Sequence, residues 1–507
     1  MSLLGIDVGT TGCKSVLFDE TGAILASAYE EYDIKRREPG YMELDSRQVW
    51  QAVKTTVGKA VSVERRDPVS ALSVTSMGEA VVPVSADRRI LGDSILLPDS
   101  RGGEFVRALH EVISDEECYR ISGNPVNMQY GLPKLMWVKA NLPDLYRDTY
   151  KFLNWGSFVT YMLGAEPSVD YCLANRNLLF DIRKEAWSTK LLSVSGIDRT
   201  KIPDCVAPGT PLGRISAEAA SELGLPANIE LVAGAHDQCA NALGCGVVAG
   251  GQAMYGMGTF STIVPVFSQL PDSKMMLEFG LNTEHHAVGG LYVSFLYHMG
   301  GATVKWFRDT FASAETEAAA NEGRDIYEKL FAEIPPNAGP LLVQPYFSPM
   351  GPPDYRADSA GVIVGLTCGT TRGDILKSIL EANSFALKVS VDNLGSAGVD
   401  LESFTAVGGG SRSDAAVQLF SDLFNRPFVR PNVTEAGALG AAILAGVATG
   451  VYASAEAAVA ATVRIERVFE PEPVTAARYE ELYGKYLQLC ALMDRFTKDW
   501  VSFQSKS

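Results

Sequence analysis

A strand, a Gly-Thr turn and a second strand occur twice in this chain, about 250 residues apart, and this repetition constrains the fold more than any other feature. The first copy is Leu3-Leu-Gly-Ile-Asp7-Val-Gly9-Thr10-Thr11-Gly12-Cys-Lys14-Ser-Val-Leu-Phe18, with an Asp/Gly turn at 19–22 and a further strand to Leu25. The second is Gln252-Ala-Met-Tyr-Gly256-Met-Gly258-Thr259-Phe-Ser261-Thr-Ile-Val-Pro-Val-Phe267, in which Gly258-Thr259 aligns with Gly9-Thr10. Short apolar runs punctuated by Gly-rich turns read as β-meanders. Self-similarity at this period predicts two duplicated domains, 1–246 and 247–507, each opening with a meander. The 507 residues also exceed what a single core usually supports. Two such turns could hold one nucleotide from opposite sides, their amides facing its phosphates, with Asp7 at a strand end placed for a hydrated Mg²⁺. Gly12-Cys-Lys14-Ser15 is no P-loop, because that motif needs Gly directly before Lys and a helix after it. An ordinary hairpin with a satisfied Asp7 is the alternative.

Between the copies, the apolar strand Ile229–Ala233 leads through Gly234-Ala-His236-Asp237 into a small-residue helix marked by Ala240, Leu243 and Val247. An acid at such a junction either caps the helix or does chemistry in the cleft above the strand ends. Glu79 follows the strand Val69–Val74, and Asp99 and Arg101 follow Ile95-Leu-Leu-Pro; strand ends are where open α/β sheets place ligand contacts, although each could be a satisfied loop residue. Further on, Ser378–Asp392 reads as an amphipathic helix. The strand Phe404–Val407 runs into Gly408-Gly409-Gly410-Ser411-Arg412-Ser413 ahead of a helix, a place where backbone approaches a bound group closely and anions are favoured.

Residues 436–455 carry no charge, which raises a membrane span, but Gly446, Thr449 and Gly450 interrupt the run and a Gly/Ala helix packed on a sheet explains it better. The balance of 44 Lys plus Arg against 60 Asp plus Glu gives a formal charge of -16, which argues against nucleic-acid and anionic-membrane partners. Eight scattered cysteines without CxxC or zinc spacing, and a start that lacks a signal-peptide pattern, predict reduced thiols and a cytoplasmic protein.

Together these residues resemble the FGGY family of sugar kinases, on the actin, hexokinase and Hsp70 ATPase fold, over nearly the whole chain. Asp7–Lys14 is similar to the family's first phosphate loop and Gly258-Thr259 to its second. Gly408–Ser413 with Gln418, Asp422 and the 435–442 segment resembles its adenosine-side signature, and Gly234-Ala-His236-Asp237 its catalytic Gly-x-x-Asp setting. Departures are Gly131 before the Lys134-Leu-Met-Trp137 core, Gly78-Glu79 where glycerol kinases carry Arg-Glu and xylulokinases Met-His, and Gln129 at a glycerol-type Tyr position.

The resemblance implies an α/β fold of two ribonuclease H-like, actin-like ATPase domains around a cleft. It implies transfer of the ATP γ-phosphoryl group to a small sugar or polyol, with Asp237 as base, Asp7 on Mg²⁺, and Thr10, Thr11, Lys14, Gly258 and Thr259 on the phosphates. Gly409, Gly410, Ser411 and Gln418 would line the adenosine site, and Glu79, Asp99, Arg101, Gln129, Tyr130 and His236 the sugar side. A ketopentose such as xylulose or ribulose is expected, a polyol or other ketose being the alternative; a homodimer fits the family. The rival reading is an ATPase of the same fold that acts on no sugar.

Overall fold

The computed structural model describes residues 1–63, 68–337, 339–347 and 360–504. Each half builds a sheet on the same plan. In the first the strands run in the order Pro211–Arg214, Glu230–Val232, Val69–Ser76, Ser2–Val8, Gly12–Asp19 and Ile24–Glu31. In the second the order is Glu284–His285, Tyr292–Val293, Phe260–Phe267, Gln252–Met257, Ser403–Val407, Phe428–Pro431 and Ile465–Phe469, with Leu296–Met299 also paired to Phe260–Phe267. In both, the first strand of the meander pairs antiparallel with the next in sequence and parallel with a strand that returns later. The expected two-domain α/β architecture with an internal duplication is therefore present.

Ser2–Val8 and Val69–Ser76 are buried on both faces, which fits their near-continuous apolar character and their parallel pairing. One face of the sheet is covered by the helix Ser46–Val61, started by Asp45, whose carboxylate accepts from Arg47 N and Gln48 N. It turns Val49, Val53 and Val57 inward at helical spacing.

The other face is covered by the charge-free helix Ala436–Ala448, which belongs by sequence to the second half yet lies against Ser2–Val8 and Val69–Ser76. It also crosses the helix Asp237–Gly244. Small residues make the crossing possible: a Cβ on Gly440 would stand 2.0 Å from Ala240 O, one on Gly244 1.9 Å from Ala436 O, and one on Gly5 1.9 Å from Ala438 O. Leu3, Val16, Cys239, Leu243, Met254, Val264, Leu439 and Ile443 share one apolar cluster, so the core is continuous from one half to the other. No helix among the described residues is long and apolar enough to cross a membrane.

Two expectations change. The helix after Asp237 stops at Gly244, short of Val247, where Gly246 turns the chain at φ 91°. The helix expected over Ser378–Asp392 spans Arg372–Ser396 behind a capping box at Thr371 and Asp374, and its stretch from Leu376 to Phe385 is buried on every side. Polar residues that imitate an exposed face in the sequence, such as Glu381, Asn383 and Ser384, are enclosed here. Tyr479 on the C-terminal helix Pro473–Gln504 donates to Glu381 Oε1 at 2.9 Å.

The crossing makes a direct prediction. Gly440→Ala should lower stability by about 1–3 kcal/mol because its methyl group meets backbone. Gly58→Ala, in a helix with open space at its Cβ, should raise it by about 0.5–1 kcal/mol. Urea midpoints of the two variants check both signs.

Candidate active site

Asp237 is the first residue of its helix, and the cap position falls to His236, whose side chain makes no capping bond. The capping role is therefore not what places the acid there. Ser76 bridges to His236 beside the parallel strands, which sets Asp237 above the strand ends, with Asp7 near the end of Ser2–Val8 next to it. Gly234 permits this approach, since a Cβ there would stand 1.9 Å from Val74 O.

The Asp237 side chain keeps 26% of its surface, whereas His236 is buried. His236 Nε2 lies 3.1 Å from Asp237 Oδ1, but Oδ1 receives no aligned hydrogen bond. Burial, and secondarily the charge of Asp7, push Asp237 up to about 7. Burial pushes Asp7 to about 6 against the opposing pull of Lys14, with Glu435 adding to the rise. Lys14 is itself 2.8 Å from Glu435, across from the second half. Asp7 and Glu435 thus share one ammonium group, and Asp237 stands beside Asp7. No group of three or more His, Cys, Asp or Glu side chains converges to hold a metal among the described residues.

A second charged cluster backs the first. Arg176 is buried and donates from Nε to Glu79 Oε2 at 3.0 Å and from Nη1 to Glu284 Oε1 at 2.8 Å. Its guanidinium lies 5.1 Å from the Tyr130 ring centre and 5.7 Å from that of Phe295. Asn282 also donates to Glu284 Oε1, at 2.9 Å, while Glu284 Oε2 has no partner. Burial raises Glu284 above its ordinary value despite Arg176, and burial together with Arg176 holds His236 neutral. Tyr297 stands among these groups, close enough to Arg176, Asp237, Glu284 and Glu79 to be affected by all four.

Of the sugar-side candidates, Glu79, Tyr130 and His236 gather in this cluster near Asp237. Arg101 lines a cavity of about 400 Å³ together with Glu79 and Lys134, and Asp99 holds it there: Asp99 Oδ1 accepts from Arg101 N and Nε, and Oδ2 from Arg101 Nη2 and Met42 N. Arg101 is further held by Glu43 at 2.7 Å and lies over the rings of Tyr41 and Trp137. Gln129 contributes its carbonyl to Lys134 Nζ at 3.3 Å; Leu96 and Leu97 carbonyls receive the same ammonium at 2.7 and 3.2 Å. Burial depresses Lys134 to about 8.

The second half holds a cavity of about 840 Å³. Gly258 and Thr259 line it, and the helix Gly301–Phe311 starts on their turn, with Gly301 N donating to Gly258 O at 3.0 Å and Ala302 N to Thr259 O at 2.9 Å. Gly409 and Gly410 line it too, within a short 3₁₀ turn, and Ser413 rather than a glycine caps the following helix Asp414–Phe424. Ser411 turns its hydroxyl back onto Gly408 O, and Gln418 donates to Asp422 and to Glu470 O. Thr10 and Thr11 are exposed on the first turn, which Gly9 N closes onto Gly12 O and Tyr32 fastens from its hydroxyl to Gly9 O.

Sequence reasoning missed Lys305, Tyr327, Phe331 and Asn383 in this cavity, and Arg176, Glu284 and Tyr297 near Asp237. A charge inside the otherwise apolar stretch Tyr171-Cys-Leu-Ala-Asn-Arg176-Asn-Leu-Leu-Phe180 is the one local signal for Arg176. The others carry none.

Duplicated sheets of this plan, with a phosphate-type turn in each and an acid between them, define a two-domain phosphotransferase of the actin-like ATPase class. Residues 2–244 match the N-terminal domain, and residues 253–449 the C-terminal domain, of the FGGY family of carbohydrate kinases. The chain belongs to that family, and it is a sugar phosphotransferase that uses ATP. It is 27% identical over 507 residues to a xylulose kinase of Staphylococcus epidermidis, covering 99% of this chain and 98% of that one. It is 25% identical over 505 residues to a gluconokinase of Bacillus licheniformis, covering 98% and 97%. The crystal structure of xylulose kinase from Rhodospirillum rubrum superposes with a TM-score of 0.88 at 25% identity, covering 98% of this chain and 100% of that one.

Arg176→Met would leave Glu79 and Glu284 buried without their cation and should cost about 3–5 kcal/mol at neutral pH. Glu284, already held above its ordinary value of 4.5 by burial, would lose the cation that opposes that rise, so the folded protein binds a proton there more readily than the unfolded chain. Part of the loss should return as pH falls from neutral toward that value, as denaturation midpoints across the range will show.

Proposed function

We propose that the chain transfers the γ-phosphoryl group of ATP to a hydroxyl of a ketopentose of the xylulose or ribulose type, with Asp237 as the general base. The observation that carries this reading is Asp237 itself: an accessible carboxylate above the strand ends, with one oxygen lacking a donor, raised to about 7. A base poised near the working pH suits proton removal from a hydroxyl. Relatives named xylulose kinase that span the whole chain support the ketopentose.

Phosphoryl transfer proceeds through a loose transition state, so most of the acceleration comes from positioning and neutralisation of charge. The amides of the turns at Gly9–Gly12 and Gly258–Thr259 would face the phosphates from the two halves, with Thr10, Thr11 and Lys14 on the first. The adenosine would lie in the cavity between the Gly409-Gly410 turn and the rings of Tyr327 and Phe331, which stack 6.2 Å apart. Asp237 would orient the acceptor hydroxyl and take its proton late.

The residues present fit a Mg²⁺ ion. Asp7 is a half-buried carboxylate that Lys14 does not fully offset, and with Asp7 as the one anchoring carboxylate the remaining coordination would fall to water and phosphate oxygens, as this ion prefers. When bound, it neutralises charge on the transferring phosphoryl group. Asp7 would hold it through water.

Coupled ADP release measured with and without a panel of ketoses and polyols tests the reading. Release that ignores every acceptor would instead favour an ATPase of the same fold without a sugar substrate. Asp237→Asn should reduce acceptor-dependent turnover by about 100-fold or more while ATP affinity stays within about threefold. Near-normal turnover in that variant removes Asp237 from the role. Because the base works ionised, kcat/KM for the sugar should fall on the acid side of about 7, far above the ordinary aspartate range. A pH profile read at several Mg²⁺ concentrations should show this limb moving to lower pH as the cation rises.

A further inference from the structure

Arg176 reaches Glu79 and Glu284 only because residue 78 is glycine. A Cβ at Gly78 would stand 2.9 Å from both Cγ and Nε of Arg176 and 3.2 Å from His236 Nε2. The guanidinium so placed spends Nε on Glu79 and Nη1 on Glu284, and it is enclosed by the rings of Tyr130 and Phe295. Lys134 donates to three carbonyls, and Arg101, which lines a cavity with Glu79 and Lys134, is held by Asp99 and Glu43. Arg176 and Arg101 each face two carboxylates, so neither guanidinium brings net positive charge to a bound anion.

What remains is the opposite polarity. Glu79, Glu284 and Asp237 bring three carboxylates against Arg176 and Lys134, and Asp7 with Glu435 adds two more against Lys14. Glu284 Oε2 and Asp237 Oδ1 are buried acceptors without a donor. A buried acceptor left unsatisfied is costly, so the site is completed by a ligand or water that donates. A hydroxyl donates; a carboxylate brings a further negative charge and no donor.

We propose that Arg176, seated over Gly78, is a positioning residue that fixes an acceptor-rich, anionic wall beside Asp237, and that this wall selects uncharged polyhydroxy acceptors and excludes aldonates such as gluconate. The proposal rests on the kinase reading above and narrows it: of the activities named among the chain's relatives, the wall fits an uncharged ketose and opposes an aldonate.

The experiment compares coupled ADP release with xylulose, ribulose, xylitol and gluconate at saturating ATP, in the wild type, Gly78→Ala and Glu284→Gln. The wild type should prefer its best uncharged acceptor to gluconate by about 100-fold or more in kcat/KM, since like charges brought together in a partly buried site cost several kcal/mol. Gly78→Ala, by displacing Arg176, should raise the acceptor KM by about tenfold and leave the KM for ATP unchanged, a split that general loosening of the fold would not produce. Glu284→Gln keeps an oxygen for Arg176 and removes one charge, so it should narrow the preference against gluconate by about fivefold or more; it carries the test if Gly78→Ala does not fold. Gluconate turned over as well as the uncharged acceptors overturns the proposal and leaves the kinase reading intact. So does an unchanged preference in Glu284→Gln, or an unchanged acceptor KM in a folded Gly78→Ala. ADP release that responds to no acceptor overturns both.

Discussion

The crossing of two small-residue helices, Asp237–Gly244 and Ala436–Ala448, is the contact on which the rest of the molecule depends. Their backbones approach so closely at Gly440 and Gly244 that no side chain fits between them. Helices normally pack 8–10 Å apart because side chains separate them, and glycine removes that spacer. Through this contact the second half of the chain reaches across to cover the sheet of the first, and the apolar core runs through both. The same crossing sets the chemistry. It places Gly437 against Asp7, with a Cβ there only 2.9 Å from Oδ2, and it brings Glu435 to Lys14. A helix without charge of its own therefore fixes two of the charges near Asp237.

Carboxylates near this cleft fall into two kinds, and their partners decide which. Asp99 receives four donors, two on each oxygen, so its charge is spent on Arg101 and on the Met42 amide. Asp237 is the reverse case: one of its oxygens finds no aligned donor, its neighbours include another acid, and its charge is disfavoured until something positive or donating arrives. Residue type is the same in both; environment separates a structural acid from one suited to moving a proton.

The features legible in the sequence were those held within a few residues of one another. The two meanders, their Gly-Thr turns, the triple-glycine turn and the acid after Ile229–Ala233 all appear where local pattern puts them, because turn chemistry and strand periodicity act over short range. Strand-end position alone, however, did not distinguish Glu79, which enters the cluster behind Asp237, from Asp99, which closes on itself.

That difference lies in partners distant along the chain. Glu79 meets Arg176 from 97 positions away, and Arg176 meets Glu284 across a further 108. No local pattern announces such a pairing, because each member sits in a stretch whose periodicity is satisfied without it. What the sequence does display is the vacancy that allows the pairing, the glycine at 78. Read alone, Gly78 is only a departure at a position next to an acid. Once Arg176 is seen against it, the missing side chain becomes the reason that a guanidinium from the end of the helix Tyr171–Asn175 can stand there. A glycine beside a predicted site thus marks room for a group supplied from elsewhere, and that group must be sought in the fold.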